Sequence, residues 1–400
     1  MEYDLVFEGG GAKGMVFVGA MEEFFKRGHT HGRLMGASAG AITATLLAAG
    51  YTSEEMLTAL GETDSAGKPV FASFMGPPGD FSQDLITDGA FSRLLKNIDI
   101  PLVPEVVEQK FENAILKYFA EKKPASNLFS LVELGGWYAA DNFLKWFKGK
   151  MDSGTFQGQP RKFSHMTMDQ FHEVTGKDLT LIAADTTGEM MLAINHRTAP
   201  DCPVVWAVRM SMSIPLLWQE VIWQEDWGRY RGEDISGHAV VDGGMLSNFP
   251  IELFISNART VTSLMGGKNH DNVMGMLIDE KMPVPGAEQR ADIAQGGIKI
   301  GELQTVKRLS ALMSTMMGAR DKAVIAQYED LVVHLPAKGF GTVEFDMDDE
   351  RRGLLVDGGR KAMRTFLDGL ESREVRRLTL EEAVSLNSMT DRVAERIVRL

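Results

Sequence analysis

Gly36-Ala37-Ser38-Ala39-Gly40 is the stretch that decides the fold. It follows a short strand-like run, His31–Met35, and opens a small, apolar run, Ala39–Ala49, that reads as a helix closed by Gly50. A serine between small residues at a strand-to-helix turn is the pattern of a nucleophile elbow. So tight a turn leaves no room for large neighbours, which accounts for Gly36, Ala37, Ala39 and Gly40. Upstream, Tyr3–Glu8 reads as another strand. It runs straight into Gly9-Gly10-Gly11-Ala12-Lys13-Gly14 and a helix over Met15–Phe25 that stops near Gly28.

The same alternation continues downstream. Leu179–Ala184, Met191–Asn195, Ala239–Asp242, Thr260–Met265, Val273–Ile278 and Leu331–Leu335 read as strands. Val204–Met212, the Met-rich Gln289–Tyr328, Gly359–Leu370 and Thr379–Leu400 read as helices. Thr52 with Glu55, and Thr379 with Glu382, have capping-box spacing. The pattern predicts a mainly parallel sheet between helix layers. Residues 61–165 break it and read as a mostly helical insertion covering one end of the sheet. Val106–Phe119 is one of its helices, and Gly135–Phe147 is rich in aromatics. An aromatic stripe at helical spacing reads first as core packing and only second as a lid or lipid contact. No internal repeat or linker divides the chain.

Four hundred residues suffice for one large α/β domain or two ordinary ones. The balance of 42 Lys+Arg against 55 Asp+Glu, net −13, argues against a general nucleic-acid binder. A single cysteine, Cys202, excludes an internal disulfide, fits a reducing compartment and reads as core filler. No apolar run is long enough to span a membrane, and no signal segment precedes the first strand. A cytoplasmic protein is expected. The 24 methionines suit an irregular core or an adaptable apolar surface.

The first glycine cluster has three readings. As a dinucleotide loop it needs an acidic residue at the end of the next strand, where the Ser38 elbow stands instead. As a P-loop it lacks the spacing and the Lys-Ser/Thr pair. As an anion nest it converges backbone N–H groups at a helix N-terminus, which suits the oxyanion of ester hydrolysis. Lys13 holds the loop, adds positive potential or is simply solvated.

A serine nucleophile needs a base. None of the eight histidines sits persuasively: His196 is in a polar turn, His238 in a glycine-serine loop, and His334 interrupts an apolar strand. The better partner is Asp242, which ends a strand and enters Gly243-Gly244, with Asn248 and Pro250 beyond. A turn-forming role is the plainer alternative for it. A second Asp-Gly-Gly, Asp357-Gly358-Gly359, lacks that continuation and reads as a loop and cap.

These residues resemble the patatin-like phospholipase family, of bacterial type. The resemblance rests on Gly9–Gly14, Gly36–Gly40, Arg209-Met210-Ser211-Met212-Ser213-Ile214-Pro215, and Asp242-Gly243-Gly244 with Asn248 and Pro250. It covers roughly residues 1–370 and leaves 371–400 as a C-terminal helical extension. It implies a three-layer α/β/α fold around a mostly parallel sheet. It also implies a Ser38–Asp242 dyad without histidine, supported by Gly243, Gly244 and Asn248. The implied oxyanion hole is drawn from Gly9, Gly10, Gly11, Ala12, Lys13 and Gly14. No cofactor or metal is implied. The substrate that the resemblance implies is a phospholipid or another fatty-acyl ester, with peripheral membrane contact. Glu8 stands where many members have Asp, and 61–165 matches loosely, chiefly at Gly135-Gly136-Trp137. Two other functions share these residues: a lipid acyltransferase, and a catalytically silent lipid- or nucleotide-binding module.

Overall fold

The computed structural model describes residues 1–78, 81–90, 93, 125–287, 325–372 and 380–399. Among these, one sheet organises the chain. Its strands are β1 (Glu2–Phe7), β2 (Thr30–Ala37), β3 (Leu179–Asp185), β4 (Met190–Ile194), β5 (Val221–Ile222), β6 (Ala239–Asp242), β7 (Val273–Pro283) and β8 (Val332–Lys338). They lie in the order β8-β7-β1-β2-β3-β6-β5, with β4 also paired to β3. The first five in that order are parallel neighbours. β4 and β6 run antiparallel to β3, and β5 antiparallel to β6. The expected mostly parallel α/β architecture is present.

Side-chain alternation along the strands builds a core on each face. Leu5 and Phe7 enter one core and Val6 the other; Leu181 and Ile182 divide the same way. The first core packs against α1 (Met15–Lys26), α2 (Ala39–Ala48), α3 (Val204–Ser211) and α4 (Asp349–Ser372). The second is closed by the 249–254 segment, the helix Arg259–Met265 and α5 (Leu380–Arg399), whose Ala394 and Ile397 are fully buried. Asp391 anchors α5 by accepting from Ser256 Oγ at 2.7 Å and Asn257 N at 2.8 Å. The Thr52–Glu55 capping box forms with both bonds, 3.1 and 2.8 Å.

Two local expectations are corrected. Thr260–Met265 is helical, not a strand: Val261 and Met265, four residues apart, bury one helical face, and the β-branched composition yields to that packing. Asp357-Gly358-Gly359 is not a loop but the middle of α4. A Cβ on Gly359 would stand 2.0 Å from the Val16 carbonyl oxygen, and one on Gly19 would stand 1.8 Å from that of Val356. The glycines therefore let α1 and α4 cross backbone to backbone.

Val106–Phe119, nearly all of Gln289–Tyr328, and Thr379 of the expected second cap lie outside the described residues. The described part of 61–165 contains helices Gln83–Asp88, Ala125–Leu134 and Asp141–Met151, and a strand Gly136–Tyr138 paired with Leu216–Trp218. Phe74, Phe143 and Phe147 are buried there, with the Phe74 and Phe143 rings 5.4 Å apart, so the stripe packs as core. Cys202 is buried, and burial pushes its thiol pKa up. Among the described residues no helix is long and apolar enough to cross a membrane.

Candidate active site

The sheet register brings Ser38 and Asp242 together. One edge of β3 carries β4 along residues 181–185. The other edge must therefore hold both β2, at 179–182, and β6, at 183–185. β2 is parallel to β3 and β6 antiparallel, so their carboxyl ends meet head to head. Ala37 pairs with Ile182, and Asp242 pairs with the next residue, Ala183. Ser38 follows Ala37 directly.

Ser38 has φ 50° and ψ −120°, a left-handed conformation that a non-glycine residue adopts at a cost of about 1–3 kcal/mol. The elbow closes through absent side chains: a Cβ on Gly36 would stand 2.2 Å from the Gly40 carbonyl oxygen. Ser38 N donates to Ser211 Oγ at 3.0 Å, and Ser211 Oγ donates to the Ile182 carbonyl at 2.6 Å. Two residues on, the Ser213 carbonyl accepts from Asp242 N at 2.9 Å. The segment after α3 thus braces both residues. Arg209 holds that segment by bonding Ser213 Oγ and, at 2.8 Å, the Gln219 carbonyl.

Asp242 is 1 % exposed. Its Oδ1 accepts from Gly244 N at 2.8 Å, whereas Oδ2 meets no partner in good hydrogen-bond geometry among the described residues. Burial raises its pKa from 3.8 to about 7; the Gly244 amide and the nearby Ser38 hydroxyl pull the other way and lose to desolvation. What sets the two residues side by side is the register, Ala37 against Ile182 and Asp242 against Ala183.

The Gly9–Gly14 loop lies against this pair. A Cβ on Gly9 would be 3.0 Å from Ser38 Cβ and 2.2 Å from Asn248 Oδ1. Asn248 clasps the loop through Nδ2 to the Gly9 carbonyl, 2.9 Å, and to Glu8 Oε1, 3.2 Å; Glu8 Oε2 accepts from Ile278 N at 2.7 Å. Lys13 is buried and ion-paired with Glu280, so it fastens the loop to β7. Three loop amides are occupied: Gly9 N by the Asn248 carbonyl, Ala12 N by that of Thr342 at 2.9 Å, and Lys13 N by that of Gly10. The amides of Gly10 and Gly11 donate to nothing among the described residues.

An apolar pocket opens beside Ser38, walled by Ile42, Phe71, Phe74, Phe143, Met212 and Trp218. None of the eight histidines lines it. His238 pairs with Asp185 at 2.7 Å and His334 with Asp279 at 3.1 Å. His196 stacks on His172 with ring centroids 3.6 Å apart, and desolvation, aided by Arg197, drops its pKa to about 4. The sequence pointed to Ser38, Asp242, Gly244 and Asn248. It gave no role to Ser211, Ser213 or Glu8, whose partners lie far along the chain, nor to Thr342.

A mostly parallel sheet between helical layers, with a strained elbow serine beside a buried aspartate and an apolar pocket, defines an α/β protein of the lipid-hydrolase class. Residues 5–255 match the family described as patatin-like phospholipase, and the chain belongs to that family. It is 26% identical over 377 residues to the uncharacterized protein YqhO of Bacillus subtilis (strain 168), covering 92% of this chain and 98% of that one. VipD from Legionella pneumophila is similar at TM-score 0.44 and 18% identity, over 92% of this chain and 67% of VipD. ExoU of Pseudomonas aeruginosa, solved in complex with SpcU, is similar at TM-score 0.37 and 16% identity, over 99% of this chain and 60% of ExoU. At these scores neither structure bears on the activity.

Proposed function

We propose that the protein is a serine lipid acyl hydrolase of phospholipase A or lysophospholipase type, working through a Ser38–Asp242 dyad. The observation that carries the reading is the buried Asp242 carboxyl, raised to about 7, at the strand end facing the strained Ser38. An ordinary aspartate is too weak a base near neutral pH, and desolvation is the remedy for that weakness.

In the first step Asp242 takes the Ser38 proton as Oγ attacks the ester carbonyl carbon. The carbonyl π pair moves onto oxygen, where the amides of Gly10 and Gly11 receive the charge. Collapse of this intermediate expels the alcohol, which takes the proton from Asp242, and leaves an acyl-Ser38 ester. In the second step Asp242 deprotonates water, which attacks that ester. The fatty acid leaves, and the proton returns to Ser38. The acyl chain lies in the apolar pocket. Phe71, Phe74 and Phe143, described residues of the 61–165 insertion, act as its cover. Lipid is met at a membrane surface by peripheral contact.

The test is turnover of a fatty-acyl ester by Ser38→Ala and Asp242→Asn, with folding checked by circular dichroism, plus fluorophosphonate labelling of the wild type. Both variants are expected to lose turnover, and labelling is expected only where Ser38 is intact. A folded variant that still turns over overturns the dyad.

A further inference from the structure

The pocket beside Ser38 is apolar with two charged exceptions, Glu344 and Arg352. Glu344 is engaged elsewhere: it accepts from Arg351 Nη2 at 3.0 Å and from Gly341 N at 2.9 Å. Arg352, in the first turn of α4, is 6% exposed. Its Nη2 bonds Asp349, whose carboxylate is 87% exposed. Its Nη1 is buried and has no hydrogen-bond partner among the described residues. Burial lowers the Arg352 pKa, against an opposing pull from the Asp348 carboxylate.

A guanidinium nitrogen stripped of water and given no acceptor is costly. Within an apolar pocket that opens on a nucleophile, the missing acceptor is most economically an oxygen of the ligand. Guanidinium presents its donors as a planar fork that fits a phosphate or carboxylate, and such charge-assisted bonds are the strong ones. The geometry points to Arg352 as the residue that binds the phosphodiester of the substrate's head group, which makes phosphate-bearing acyl lipids preferred over neutral esters. This inference rests on the lipid acyl hydrolase reading. Arg352 lies beyond residues 5–255, so the family match says nothing of it.

Binding is measured without turnover, in a Ser38→Ala background, by calorimetry below micelle concentrations. The probes are dodecylphosphocholine (phosphate), laurate (carboxylate) and monolaurin (neutral). Adding Arg352→Gln should weaken dodecylphosphocholine by about 10- to 100-fold, the range for a charge-assisted pair. It should leave monolaurin within about 2-fold, and Arg352→Lys should fall between. Because the substitution removes a desolvated cation whose ion pair is with an exposed carboxylate, Arg352→Gln should melt close to its parent. Should it fail to fold, Arg352→Lys, which keeps the charge and loses the fork, decides alone by the phosphocholine-to-monolaurin ratio. Equal weakening of all three probes makes Arg352 structural and overturns the proposal. So does loss of laurate alone, which reassigns the site to the product carboxylate, and so does no change or no binding of dodecylphosphocholine. If the hydrolase reading fails, the wild type shows no turnover while this binding contrast persists.

Discussion

Asp242→Asn should abolish catalysis and stabilise the fold, with a pH signature that only a desolvated carboxyl gives. Asp242 titrates near 7 in the folded protein against 3.8 ordinarily. Between those values the folded protein keeps a proton that the unfolded chain has released. The stability that this proton contributes is complete below 3.8 and is lost as pH rises through 7. About 3 pH units at about 1.4 kcal/mol each amount to about 4 kcal/mol in all. Asparagine has the same shape, keeps an acceptor for the Gly244 amide and carries no charge. Urea unfolding of both proteins at about pH 5 and about pH 8 should therefore shift the difference toward the variant by roughly 2–3 kcal/mol. The wild-type kcat/KM should rise with pH along an acid limb whose midpoint lies near 7, because the base must be ionised. A stability difference that does not change with pH refutes desolvation as the source of Asp242's basicity.

Other expectations concern backbone geometry. Ser38→Gly and Ser38→Ala both lose turnover, but the glycine variant should melt higher, by an equivalent of about 1 kcal/mol, because it alone relieves the φ of 50°. An alanine variant as stable as the glycine one contradicts strain at the elbow. Gly359→Ala should destabilise by about 1–3 kcal/mol through its clash with the Val16 carbonyl, although helix propensity alone favours alanine by about 1 kcal/mol. The sign of the change in thermal denaturation tells whether α1 and α4 cross as closely as described.

The strands and the elbow were legible because their signals are local. Tyr3–Glu8 and Leu179–Ala184 carry β-rich runs, and Ser38 sits among residues too small for any other purpose. Asp242 was legible through its glycines and through the want of a histidine. Where the signal is tertiary, the reading failed. Thr260–Met265 looks like a strand until the burial of Val261 and Met265 on one side is known. Gly358-Gly359 looks like a turn until Val16 is found against it. Ser211 and Ser213 read only as part of a motif; their work is to hold Ser38 and Asp242 from a third element. The head-to-head meeting of β2 and β6 depends on which edge of β3 each occupies, and no single strand encodes that.

The clasping of the Gly9–Gly14 loop also has a consequence for biosynthesis. Glu8 and Asn248 are 240 residues apart, Lys13 waits for Glu280, and Ala12 waits for Thr342. At about 5–20 residues per second, a ribosome needs many seconds to deliver the last of these partners after the loop has emerged. A growing chain thus carries its serine early and the shaped glycine loop late. Such long-range closure also marks a slow folder, whose activity is withheld until nearly all of the polypeptide is present.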